Sequence, residues 1–342
     1  MTRCLQLARL GEGNVAPNPM VGSVLVYKDL IIGEGYHERY GEGHAEVNCI
    51  SSVAGKNIPF IEKSTLYVSL EPCSHFGKTP PCTDLIIKCK IPKVVIGCKD
   101  VYREVAGRGI EKLQIAGVEV STGILESESI RLNKRFFTFH EKFRPYIILK
   151  WAQSANLKIG SSTGPTIRVS NEYTSRLVHK WRSQEAGILV GTNTVIRDNP
   201  HLTTRLWPGK NPVRIIVDKE LDLPPSANVF NSDAKTIIYN LVKSSNEDQV
   251  TQIKIDPEDF LEGLLASLFE LHVVSIMVEG GAKTLGSFIE RGLWDEARVI
   301  TNENLVIENG INAPEMKGFI LQNQERYFGD RVSYYVRNHQ EF

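Results

Sequence analysis

The chain has 342 residues, 42% hydrophobic and 23% charged, with 40 basic and 40 acidic side chains and a formal net charge of +0. That balance is ordinary for a soluble globular protein, the length predicts two domains, and neutrality argues against nucleic acid as the main partner while leaving room for a pocket that holds one phosphate. The six cysteines all lie in the first hundred residues, too few for a secreted disulfide scaffold, and no apolar run approaches the ~20 residues of a membrane span. The N-terminal stretch MTRCLQLARLGEGN is helix-like but lacks the apolar core of a signal peptide, so the expectation is a cytoplasmic protein with reduced thiols and no membrane partner.

In chain order, VGSVLVY (21–27) and DLIIGEGYH (29–37) read as a β-hairpin. HAEVNCISSVA (44–54) has helical spacing, and TLYVSL (65–70), PCTDLIIKCK (81–90), KVVIG (93–97) and RGIEKLQIAG (108–117) read strand, helix, strand, helix. Such alternation predicts a layered α/β sheet. LESESIRLNKRFFTFHEK (125–142) reads as one long charged helix closing the first domain. Pro145 disfavours a helical residue before it, which puts the boundary near Arg144 and predicts domains 1–143 and 144–342. The second half restarts with a strand in FRPYIILKWA (143–152) and a helix in NEYTSRLVHKWRSQ (171–184), with Asn171 as its N-cap. Strands follow at 186–191, 212–218 and 236–242, then strand, glycine turn and helix in SIMVEGGAKTLGSFIERG (275–292) and a hairpin around Phe328-Gly329-Asp330.

The first chemical constellation joins GHAE to PCSHFGKTPPC. One imidazole, His44, and two thiolates, Cys73 and Cys82, make three ligands for a tetrahedral zinc and leave the fourth position for water, as a catalytic site requires. Zinc lowers the pKa of that water towards ~7. Glu46, two residues past His44, is then near the metal but not on it, placed to take a proton from water and pass it to a leaving amine. This is the H-x-E … P-C pattern of zinc nucleobase deaminases. Those enzymes commonly space the cysteines C-x-x-C, whereas eight residues separate Cys73 and Cys82 here, with Lys78 adding local positive charge suited to a phosphate. His75 in the same loop is an alternative histidine ligand. Cys49, Cys89 and Cys98 read as core thiols, and His37 as either a surface or a pocket residue.

The stretches APNPMVGSVLV, GYHERYGEGHAEVN, LYVSLEPCSHFGKTPPCTDLI and VAGRGIEKLQIAGVEVSTGIL together resemble the deaminase half of the bifunctional riboflavin-biosynthesis deaminase/reductase family. The resemblance implies a cytidine-deaminase-like three-layer α/β/α domain and a diaminopyrimidinone substrate carrying a ribosylamino 5-phosphate. It also implies zinc on His44, Cys73 and Cys82, Glu46 as proton shuttle, and substrate contacts from Asn18, His37, Lys78 and Thr79.

For the second half the pieces are LKWAQSANLKIG, HKWRSQEAGILVGTNTVIRDNPHLTTR and IMVEGGAKTLGSF. Glu279-Gly280-Gly281 between strand and helix reads by itself as a plain turn or as a seat for a phosphate-bearing cofactor, and no G-x-G-x-x-G stands after a strand. The half is similar to the family's reductase domain, which implies a dihydrofolate-reductase-like α/β fold and NADPH. By that similarity Ala152, Arg168, Thr194, Asp198 and Gly281, Ala282, Lys283, Thr284, Leu285, Gly286 and Ser287 contact NADPH. Thr166, Arg182, Leu202, Arg205 and Glu279 contact the substrate, with Arg182 and Arg205 suited to its phosphate through forked hydrogen bonds. Asp198 is a candidate for proton handling or, alternatively, a loop cap. Two departures bear on cofactor affinity rather than fold: Ser154-Ala155-Asn156-Leu157 stands where the family often has Ser-Leu-Asp-Gly, and Arg168 where an aromatic residue is common. The expectation is an enzyme of two consecutive steps on one phosphorylated pyrimidine, homo-oligomeric, with no nucleic-acid partner. The alternatives are a deaminase whose second half is catalytically impaired, a deaminase acting on tRNA bases, and a zinc-stabilised protein without activity.

Overall fold

The computed structural model describes residues 1–77, 80–102 and 105–338. The chain divides into two compact units between Phe143 and Arg144. In the first, α1 (Thr2–Ala8) precedes the hairpin of β1 (Gly22–Tyr27) and β2 (Leu30–Tyr36). Lys28 and Asp29 turn it at φ 47° and 64°, the two left-handed residues that a tight hairpin requires. Then come α2 (Ala45–Ser51), β3 (Thr65–Leu70), α3 (Cys82–Lys88), β4 (Lys93–Cys98), α4 (Arg108–Ile115) and β5 (Glu119–Ser121). The five-stranded sheet has the order β2-β1-β3-β4-β5, parallel across β3-β4-β5 and antiparallel elsewhere.

Alternation along β1 sends Leu25 to one face, with Leu66, Val68, Ile96 and the apolar sides of α2, α3 and α4. Val24 goes to the other, with Cys4 and Leu7 of α1. The 125–142 segment departs from expectation. It forms two helices, α5 (Glu126–Leu132) and α6 (Lys134–Lys142), broken at Asn133. The Asn133 side chain accepts from Met20 N at 2.7 Å and donates to Met20 O at 2.9 Å. This pins the residue to another part of the chain at φ −101°, ψ 22°, outside helical geometry. Nor is the segment uniformly solvated, since Phe136, Phe137 and Phe139 are buried.

The second unit opens with β6 (Tyr146–Ser154), β7 (Lys158–Ser161), α7 (Glu172–Gln184), β8 (Gly187–Gly191), α8 (Thr192–Asp198), β9 (Val213–Val217) and β10 (Thr236–Asn240). It continues with β11 (Ser245–Glu247), β12 (Val250–Lys254), α9 (Phe260–Glu270), β13 (Ser275–Val278), α10 (Ala282–Glu290) and β14 (Glu296–Asn302). The last strands are β15 (Gly310–Asn312), β16 (Phe319–Tyr327) and β17 (Asp330–Arg337). Ten strands form one sheet, β11-β12-β10-β9-β8-β13-β6-β14-β17-β16, and β15 pairs separately with β7. The run β12 to β14 is parallel, so the carboxyl ends of β8, β13 and β6 lie along one edge, where open α/β sheets bind ligands. Leu149, Leu189 and Ile276 pack on α9 and α10, and Ile188, Val190 and Ile216 pack on Val195 of α8. The Asn171 side chain accepts from Tyr173 N and Thr174 N, the N-cap expected of it. Asp295 joins Arg144 through two contacts at 2.6 and 2.8 Å and accepts from Ile147 N at 2.8 Å, fastening the start of β6. Both halves are α/β, as expected.

The turn after β6 bears on the departure noted above. Leu157, not Asn156, occupies the left-handed position, at φ 59°, with 57% of its surface exposed. A left-handed Leu costs roughly 1–2 kcal/mol, while glycine there loses ~0.5–1 kcal/mol in chain entropy. Leu157→Gly is therefore expected to stabilise the second unit by about 0.5–1 kcal/mol, read as a higher melting temperature. A lower one would show that contacts of the Leu157 side chain outweigh its backbone strain.

Candidate active sites

In the first unit the site is made by two helix starts. His44 caps α2 with extended backbone (φ −72°, ψ 167°), Cys82 opens α3 directly after Pro81, and Cys73 lies just beyond β3. His44 Nδ1 sits 3.5 Å from Cys73 Sγ and 3.4 Å from Cys82 Sγ, and the three donor atoms lie within 4.8 Å of one another. Cys82 N donates to Cys73 Sγ at 3.3 Å. Hydrogen bonds from Cys82 and His44 draw the Cys73 thiol down to about 4, and the same pairing pushes Cys82 well up. A nitrogen and two soft sulfurs, one favoured as thiolate, are a donor set that zinc fits. His75 is outside the cluster: its ring lies 6.0 Å from that of Tyr102, and its Nδ1 has no hydrogen-bond partner among the described residues.

Glu46 is 3% exposed, and burial followed by the negative charge of Cys73 pushes its carboxyl up to about 6. Asn18 Nδ2 lies 3.1 Å from His37 Nε2, His37 Nδ1 lies 3.1 Å from Gly43 O, and the His37 ring is 5.3 Å from that of His44. Since the Gly43 carbonyl only accepts, Nδ1 carries the proton and Nε2 accepts from Asn18. Asn18 and His37 thus adjoin the cluster, whereas Lys78 and Thr79 lie outside the described residues.

Sequence reasoning passed over Glu71. Its carboxylate is buried and accepts from the backbone N–H groups of Asp100, Gly107, Gly109 and Ile110 at 2.9–3.3 Å. It ties the strand end before Cys73 to the start of α4. The packing is close enough that a Cβ at Gly109 would lie 2.1 Å from Pro72 O.

In the second unit Glu279 follows β13 and meets two cations. Arg182 Nε and Nη2 donate to it at 2.7 and 2.8 Å, and Lys150 Nζ of β6 lies at 3.5 Å. Burial opposes the charge, but Arg182 and Lys150 prevail and hold the carboxyl down to about 2. Lys150 was the residue missed here; its place in the apolar run of β6 gave no sign of it. Arg205 is exposed, and Leu202 is buried at φ 53°, a strained turn of the kind found at ligand sites.

Gly281 caps α10, and its N–H donates to Thr194 Oγ1 at 3.1 Å. Lys283 and Ser287 are exposed, Ala282, Thr284 and Gly286 are half-buried, and Leu285 is fully buried in the core. The open N-terminal turn of α10 suits a phosphate-bearing cofactor, with Leu285 contributing only its backbone. Ala152 is half-buried on β6. Thr166 Oγ1 donates to Asp198 Oδ1 at 3.1 Å, joining a residue expected at substrate to one expected at cofactor. Arg168 binds Ser170 O and Ser175 Oγ and so braces the entry to α7.

Residues 1–98 match the family model for the cytidine and deoxycytidylate deaminase zinc-binding region, and residues 145–305 match that for the RibD C-terminal domain. The riboflavin biosynthesis protein RibD of Aquifex aeolicus is 43% identical, over 86% of this chain and 83% of its own length. The chain belongs to the RibD family. RibD of Escherichia coli is 35% identical over 86% of this chain and 84% of its own. A Thermotoga maritima diaminohydroxyphosphoribosylaminopyrimidine deaminase/5-amino-6-(5-phosphoribosylamino)uracil reductase superposes with a TM-score of 0.89 at 34% identity, covering 98% of this chain and 97% of that one. As a RibD protein the chain is a bifunctional deaminase and reductase of riboflavin biosynthesis, with zinc and NADPH as cofactors. No helix among the described residues is long and apolar enough to cross a membrane.

Gly109→Ala is expected to force Pro72 and α4 apart and to destabilise the first unit by about 1–3 kcal/mol. Calorimetry should show its unfolding moved to lower temperature while NADPH-dependent turnover persists. An unchanged profile would show that the Glu71 clamp tolerates a side chain.

Proposed function

We propose that residues 1–143 deaminate diaminohydroxyphosphoribosylaminopyrimidine and that residues 144–342 reduce the product, 5-amino-6-(5-phosphoribosylamino)uracil, to its ribityl form. Support for these substrates comes from the activities named for the Thermotoga maritima protein. The observation that carries the first half is the convergence of His44 Nδ1, Cys73 Sγ and Cys82 Sγ within 4.8 Å, which we read as the zinc ligands. Zinc bound there supplies a Lewis acid that makes water nucleophilic near neutral pH. Glu46, buried behind His44 and raised towards neutrality, takes a proton from the attacking water and returns it to the departing amine, so that ammonia leaves. Asn18 and His37 orient the pyrimidine, and Lys78 and Thr79 are proposed to contact the phosphorylated sugar.

In the second half bound NADPH would supply a hydride to the sugar C1 once the ribosylamine ring has opened to the imine, the C=N π pair going to the nitrogen, which takes up a proton from solvent. Thr194 and the Gly281–Ser287 turn hold the cofactor, with Ala152, Arg168 and Asp198 beside it. Arg182, Arg205, Thr166, Leu202 and Glu279 hold the substrate. Glu279, pinned by Arg182 and Lys150, keeps those two cations in register with each other. The deaminase-only alternative gains no support, since relatives named as one protein match across both halves. A homo-oligomer is supported by Phe319, Ile320 and Leu321, which stand 39–55% exposed on the edge strand β16. Sedimentation should give more than one chain per particle, and a monomer at micromolar concentration would refute it.

Cys73→Ser or Cys82→Ser should lose zinc and deamination together. Glu46→Gln should keep about one zinc per chain, lower ammonia release by ~10²–10⁴-fold, and still reduce pre-deaminated substrate with NADPH. Full zinc in both cysteine variants would place the metal elsewhere.

A further inference from the structure

Two buried polar atoms in the second unit have no role in this scheme, and both belong to residues next to Arg182. His179 is three residues before Arg182 on α7, hence on the same face of the helix. It is 7% exposed, and Thr203, which follows the strained Leu202, is 2% exposed. Arg182 Nη1 donates to the Thr203 carbonyl at 3.1 Å, which places Thr203 against the same guanidinium. His179 Nδ1 has no hydrogen-bond partner among the described residues, and neither has Thr203 Oγ1. A buried polar atom without a partner is costly, and two such atoms flanking one guanidinium point to a ligand that completes them.

The character of that ligand follows from the surroundings. Burial, then Arg182 and Arg205, hold the imidazole down to about 4, so near neutral pH it is uncharged. A neutral imidazole nitrogen and a hydroxyl match alcohol groups, which both donate and accept, whereas the neighbouring guanidiniums match a phosphate. Resting on the reductase reading above, we propose that His179 and Thr203 are further specificity-determining residues. His179 Nδ1 and Thr203 Oγ1 hydrogen-bond hydroxyl groups of the sugar chain whose phosphate the arginines hold.

The test uses the full-length protein with 5-amino-6-(5-phosphoribosylamino)uracil and NADPH. Thr203→Val should raise KM for the pyrimidine about three- to tenfold and leave the KM for NADPH and the rate of deamination unchanged. Thr203→Ser, which restores the hydroxyl, should rescue most of the loss. The Thr203→Val defect should disappear with a substrate analogue lacking the contacted sugar hydroxyl. His179→Phe carries the same expectations and serves if Thr203→Val fails to fold. An unchanged pyrimidine KM, an effect on NADPH instead, or a defect that persists with every deoxy analogue would overturn the proposal. Wild-type protein that oxidises no NADPH with this substrate would overturn the reductase reading and this inference with it.

Discussion

An imidazole nitrogen lying 3.4 and 3.5 Å from two sulfurs is the constraint on which the first unit turns. Each of the three donors is held by a different element. The extended cap of α2 delivers His44, the start of α3 delivers Cys82, and the end of β3 delivers Cys73. Since β1 and β4 flank β3, the sheet fixes where Cys73 emerges, and α2 and α3 on one face of it bring the other two donors to the same point. Glu71 then locks that strand end to α4 through backbone donors alone. The geometry thus draws on most of the domain rather than on a local loop.

The second unit solves a related problem with charge instead of metal. Glu279 emerges from the central strand β13 between Arg182 of α7 and Lys150 of β6. None of the three charges is tolerable alone in a dry pocket, and each makes the others acceptable. The cluster sits where the parallel strands end, so the sheet's topology fixes its place. Leu202 and the αL turn at Leu157 place backbone strain in loops of the same unit. His179 and Thr203 add buried neutral polar groups beside Arg182.

Much of this was legible in the residues. The hairpin at 21–37, the strand–helix alternation, the Asn171 cap and the glycine turn after β13 follow from local patterning, and the H-x-E and P-C segments announced a metal site before any coordinates. What escaped depends on partners far along the chain. The break at Asn133 comes from Met20, 113 positions away. The donors to Glu71 lie 29–39 positions on. Lys150 reads as an interruption in an apolar strand until Glu279, 129 positions later, gives it a reason. His179 and Thr203 stand out only because their burial leaves polar atoms unmatched, a property no local pattern encodes.

The most direct test of the central claim is X-ray absorption at the zinc edge of the purified protein. The account predicts two sulfur ligands at ~2.3 Å, one imidazole nitrogen near ~2.0 Å and one further light atom from solvent, with the imidazole signal lost in His44→Ala and kept in His75→Ala. A second imidazole, a third sulfur, or a signal that follows His75 would contradict it.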